Sequence, residues 1–142
     1  MKAKLTAKGI INTLSEKKID GPIIDKRLNE INRDTGPYFE TEEEFRTVVK
    51  ESFTKKDVSF YNWEPATAAL DRFTAFMNEL KDKTKYTNKT IGIVSHGSIM
   101  SLYFANIGGY IDDADVLYQK WLKTTFCGWG VIENETIIRE LS

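Results

Sequence analysis

The sequence predicts an α/β protein, a mostly parallel sheet flanked by helices with an antiparallel hairpin at the C-terminal end. Three observations predict it. The β-branched apolar run at residues 90–94 breaks into Ser95-His96-Gly97-Ser98 and is followed by a second apolar stretch, the pattern of a buried strand feeding a helix. Segments of helical period alternate with shorter apolar runs, as they do where helices cover the faces of a sheet. Residues 129–132 and 136–141 flank Asn134, which reads as a terminal hairpin.

Taken in order, Leu5, Ile10, Ile11 and Leu14 recur at near-helical spacing over residues 5–18, and residues 19–24 form a weak strand interrupted by Gly21 and Pro22. Residues 25–39 are polar and turn-rich and read as a loop over the site. Thr41 and Glu44 have capping-box spacing ahead of Phe45, Val48, Val49, Ser52 and Phe53, so a helix of about three turns follows. Pro65 opens a stronger helix, since proline suits the first turn, and Ala66, Ala69, Leu70, Phe73, Phe76, Met77 and Leu80 make its apolar stripe. Residues 81–89 form a polar linker to the strand at 90–94. The helix over 99–107 stops at Gly108-Gly109, residues 112–115 form an acidic loop, and residues 118–122 a short helix. Only about four strands are expected, too few to cover a doubly wound sheet well, which predicts a partner or a missing part.

At 142 residues and 41% hydrophobic content the chain is one domain, 1–142, with a single core. Twenty basic against 21 acidic residues leave a net charge of −1, so no global field draws nucleic acid or an anionic membrane. Cys127 is the only cysteine, which excludes an intrachain disulfide and a cysteine-based metal cluster. The single cysteine favours a reducing compartment, so the chain reads as cytoplasmic; no apolar stretch nears the roughly 20 residues of a membrane span and no signal-peptide core marks it for export, and no cofactor or metal is expected.

His96 is the only histidine. At the end of a strand, with the N–H groups of Gly97 and Ser98 and the positive end of a helix, it points to a phosphate site; the plain alternative is a structural histidine satisfying nearby backbone. Cys127 is a poor nucleophile, because it sits in a strand-like context with no histidine left to activate it. Ser95 and Ser98 beside His96 form at most a weak Ser-His pair.

Ile91-Gly92-Ile93-Val94-Ser95-His96-Gly97-Ser98 resembles the second-histidine motif of the histidine phosphatase superfamily, the phosphoglycerate-mutase-like enzymes. Upstream, Arg27-Leu28-Asn29-Glu30 is similar to that family's "RL-x-E" segment. Asn62-Trp63-Glu64-Pro65 with Arg72 resembles its "G-E-S … R" helix start, with Trp63 in place of glycine and Pro65 in place of serine. Trp129-Gly130-Val131-Ile132-Glu133 and residues 136–141 look like its closing hairpin, so the likeness runs from about residue 23 to the end. Residues 5–9 resemble an "L-T-x-x-G" helix start, or residues 11–13 the helix carrying the family's second arginine; neither register supplies an arginine, since the first in the chain is Arg27.

The resemblance implies a phosphoglycerate-mutase-like fold and phosphomonoester hydrolysis or phosphoryl transfer on a small molecule through a phosphohistidine. It implies catalytic roles for His96 and Glu30, Glu30 as the proton donor, and phosphate contacts from His96, Gly97 and Ser98. An exposed loop carboxylate is the plain alternative for Glu30, and Arg72 is expected to pair with Glu64 or face solvent rather than touch substrate. The family's nucleophile lies in an Arg-His-Gly segment that this sequence lacks. The expectation is therefore an N-terminally incomplete domain, inactive or very weak, because removing a nucleophile that acts with its partners removes most of the rate enhancement. The alternative is a non-catalytic module that binds a phosphorylated small molecule or inorganic phosphate, or that pairs with a homologue or itself through an exposed sheet edge.

Overall fold

The computed structural model describes residues 2–14, 16, 19 and 21–142. Five helices carry the fold: α1 (Lys2–Thr13), α2 (Glu42–Thr54), α3 (Ala66–Asp82), α4 (Gly97–Gly108) and α5 (Ala114–Lys123), followed by a hairpin of β1 (Val131–Glu133) and β2 (Thr136–Arg139).

The capping box expected at Thr41 is formed. Its hydroxyl accepts from the Glu44 N–H at 3.1 Å, while the Glu44 carboxylate accepts from the Thr41 N–H at 3.2 Å. Glu42, Glu43 and Glu44 place negative charge in the first turn of α2, where the helix dipole favours it. One face of α2 then buries Val48, Val49, Ser52 and Phe53. In α3 the stripe predicted from spacing buries Ala66, Ala69, Phe73, Phe76 and Leu80, with Pro65 as the N-cap.

Helix α4 is apolar almost all round and lies at the centre, as such a helix must. It buries Ser98, Ile99, Ser101, Leu102, Tyr103, Phe104 and Ala105 and packs on α3, α5 and β2. Gly109 ends it in the left-handed region at φ 74°, a conformation that glycine adopts without a Cβ penalty. The acidic loop expected at 112–115 is instead the start of α5: Asp113 caps it by accepting the Val116 N–H at 2.9 Å, and Asp115 lies in its first turn. In the hairpin Asn134 and Glu135 both take positive φ, 48° and 62°, as a two-residue loop matching strand twist requires.

The mostly parallel sheet is not found among the described residues. The only sheet there is the two-stranded antiparallel hairpin. Residues 90–94 and the described part of 19–24 join no ladder, because a parallel strand exists only beside a neighbour that accepts its N–H groups, and none lies alongside. The exposed edge of a larger sheet, expected as a dimerisation surface, is therefore not formed among them. Residues 15, 17, 18 and 20, parts of the first predicted helix and strand, fall outside the described residues, and α1 ends at Thr13.

Candidate functional site

The site is assembled from three stretches of chain. Residues 95 and 96 lead into α4, with His96 as its N-cap in extended conformation (φ −129°, ψ 158°) and its imidazole, half-buried, making no capping hydrogen bond. The helix N–H groups left open are taken by another residue. Glu30 accepts from the Ser98 N–H at 3.2 Å and the Ile99 N–H at 3.0 Å, and also from its own neighbour, the Ile31 N–H, at 3.0 Å. A carboxylate thus occupies the positive end of α4.

Glu30 is held there by a clamp on the opposite side of its loop. The loop begins with a single 3-10 turn at Lys26–Leu28. From α3, the Arg72 guanidinium grips Glu64 with two parallel bonds of 2.8 Å and donates to the backbone carbonyls of Arg27, Asn29 and Glu30. Glu64 accepts in turn from the Asn32 N–H at 3.0 Å. Burial raises the Glu64 pKa, but the Arg72 hydrogen bonds, the Asn32 N–H and the Arg72 charge outweigh it and hold the carboxyl below its usual range. Ser95 adds a tie from the other side, its hydroxyl donating to the Leu28 carbonyl at 2.6 Å.

Residues 2–119 match the histidine phosphatase superfamily, branch 1. The chain belongs to that superfamily. The match takes in α1, ahead of the residue-23 start of the motif likeness, and stops within α5, short of the hairpin. No curated protein and no solved structure matches the chain.

In this histidine phosphatase superfamily chain, the "RL-x-E" and Ser-His-Gly segments, 66 residues apart in the cases of Glu30 and His96, meet at one helix end. Ser98 is brought to Glu30 directly; no hydrogen bond joins Glu30 to His96 or Gly97. Arg72 pairs with Glu64 rather than facing the helix end. Cys127 corrects its sequence reading: it is exposed and sits at φ 60° in a turn, not in a strand, because the Gly128 N–H donates to the Thr125 carbonyl at 3.0 Å and closes the chain into that turn.

Sequence reasoning missed Arg33. Its guanidinium sits over two neighbouring rings, 4.4 Å from the Trp63 centroid and 4.9 Å from that of Phe45. From there Nη2 donates to the Ser98 hydroxyl at 3.0 Å and stands 4.0 Å from Glu30 Oε2, while Nε is buried without an acceptor. Burial pulls the Arg33 pKa down from its ordinary value and the Glu30 charge opposes that shift. The signal was Trp63, noted only as a departure from glycine. A large planar ring there supplies the face on which an arginine stacks. Among the described residues no cluster of three or more His, Cys, Asp or Glu is placed to hold a metal ion, and no helix is long and apolar enough to cross a membrane.

Proposed function

We propose that the chain binds the phosphoryl group of a phosphomonoester at the head of α4, with His96 and the N–H groups of Gly97 and Ser98 as ligands and Glu30 as the proton donor to the leaving oxygen. The observation that carries this reading is the Glu30 carboxylate on the Ser98 and Ile99 N–H groups. It marks the helix end as an anion site already holding an anion of the chain itself.

The chemistry follows as an exchange. Both Glu30 oxygens are engaged as acceptors, so neither faces a leaving group. An incoming phosphate that takes over the α4 N–H groups releases the carboxylate beside the new anion; once it has taken up a proton from solvent there, the carboxylic acid hands that proton to the departing alkoxide and returns to the carboxylate. Arg33 is close enough to neutralise part of the added charge. Attack on phosphorus needs a nucleophile, and the sequence holds no histidine besides His96; turnover by these 142 residues is therefore weak, and binding is the activity to measure. A second reading follows from the same lack of a second histidine: the chain binds a phosphorylated ligand without turnover, alone or beside a homologue.

Thermal unfolding in inorganic phosphate tests the site. Phosphate is expected to raise Tm in the parent chain and to do so less in His96→Ala. Glu30→Gln removes the competing charge, and at separations near 4 Å that repulsion is worth enough to tighten phosphate binding roughly fivefold. No stabilisation by phosphate in either the parent or Glu30→Gln would sink the proposal. Release of p-nitrophenol from p-nitrophenyl phosphate at an ordinary enzymatic rate would overturn the weak-turnover part alone.

A further inference from the structure

Resting on the phosphate site just described, we propose that the ring-lined cavity beside Arg33 receives the organic half of the phosphomonoester, and that this half carries a flat, uncharged ring. The cavity measures about 420 Å³ and lies between the loop that precedes α2, the first turn of α2, and Trp63. That volume falls in the range of small-molecule sites. Tyr38, Phe39, Phe45 and Trp63 line it, and Phe39 stands edge-on to Trp63 at 5.9 Å and to Tyr61 at 5.7 Å between ring centroids.

Arg33 joins this cavity to the head of α4. One edge of the guanidinium meets Ser98 and approaches Glu30, while its face covers Trp63 and Phe45 and forms part of the cavity wall. A phosphomonoester that places its phosphoryl oxygens on α4 has its alcohol portion directed past Arg33 toward the rings. Tyr38 at the mouth is 93% exposed, so its ring face is not consumed by packing and is open to stack on a ligand.

Charge sets the second half of the specificity. Glu40 and Glu42 border the same cavity. Glu42 is offset by Arg46 at 2.6 Å, but Glu40 forms no ion pair among the described residues. A carboxylate or second phosphate on the alcohol meets like charge at Glu40, whereas an uncharged ring meets the aromatic walls and the face of the Arg33 guanidinium, whose charge already stands 4.0 Å from Glu30. The cavity therefore selects aryl or nucleobase-type phosphomonoesters over small phosphorylated acids. The residues responsible come from the stretch 33–45 together with Trp63.

Calorimetric titration of the 142-residue chain with phenyl phosphate, glycerol phosphate and inorganic phosphate tests this. Phenyl phosphate is expected to bind about tenfold more tightly than glycerol phosphate, the factor that one good ring stack supplies. Tyr38→Ala, a change at an exposed position, and Phe45→Leu, which keeps apolar bulk while deleting the ring, should each move that ratio toward one. Equal affinities for the two esters, or a ratio untouched by both variants, overturn the inference while leaving the phosphate site in place. Failure of all three ligands to bind overturns the phosphate reading itself, and the inference with it.

Discussion

Arg72 donates to five acceptors at once, two on Glu64 and three backbone carbonyls between residues 27 and 30. Deleting it strands the Glu64 carboxylate and releases the loop that aims Glu30. Arg72→Met is expected to cost about 3 kcal/mol in urea unfolding, near the low end for breaking a mostly buried pair because both side chains retain some solvent contact. Arg72→Lys should recover little, since an ammonium cannot reproduce the bidentate fork. The pH dependence has a definite sign. Glu64 is depressed in the folded chain, so its contribution is complete above the ordinary value of 4.5 and is lost as pH falls below that value and through the folded pKa. Stability should therefore fall with acidification below about pH 4.5, and Glu64→Gln should flatten that slope. The Glu64 and Arg72 pairing was legible in the sequence from the spacing of a helix start and its second turn. Arg33 was not, because nothing in the chain between residues 33 and 63 announces that a ring will slide beneath a guanidinium.

Helices differ sharply in how far they depend on tertiary support. Helix α1 buries none of its residues, and an isolated helix of 12 residues is marginal in water. Its amides are expected to exchange with solvent far faster than those of α4, as read by hydrogen-exchange mass spectrometry; protection of α1 equal to that of α4 would show that it packs on something. Caps and stripes were readable in α2, α3 and α4, since Thr41 with Glu44, Pro65 and Gly109 act within a few residues of themselves. The start of α5 was misread because Asp112 to Asp115 looks like a solvated acidic loop, whereas Asp113 caps and Asp115 complements the dipole. The strand at 90–94 was misread for the opposite reason: β-branched residues favour extended chain, but only a neighbouring strand converts that preference into a ladder.

Across the molecule, α4 is the element on which α3, α5 and β2 pack, and its buried side chains contribute strongly to stability. Leu102 is fully buried among α3, α4 and α5. Leu102→Ala is expected to cost roughly 3 kcal/mol, the lost transfer energy plus the cavity it leaves. We propose that the chain unfolds as one unit, with tryptophan fluorescence and far-ultraviolet circular dichroism following the same transition; Trp63 and Trp121 report on the core next to Arg33 and α5. Separate transitions would divide the chain into more than one cooperative part.

Sequence alone determined what is local or periodic. The apolar stripes of α2 and α3, the glycine stop of α4, the hairpin at Asn134 and the superfamily motifs around Glu30, Glu64, Arg72 and His96 each depend on residues close in the chain or on a fixed spacing between them. Tertiary structure alone decided that residues 90–94 pair with no strand among the described residues, that Glu30 fills the N-terminus of α4, and that Arg33 sits over Trp63 and Phe45. The reason is physical. Caps and stripes are satisfied by covalent neighbours a turn away, whereas a ladder partner, an internal anion and a stacking face come from distant chain, and which distant group arrives is settled only when the core closes.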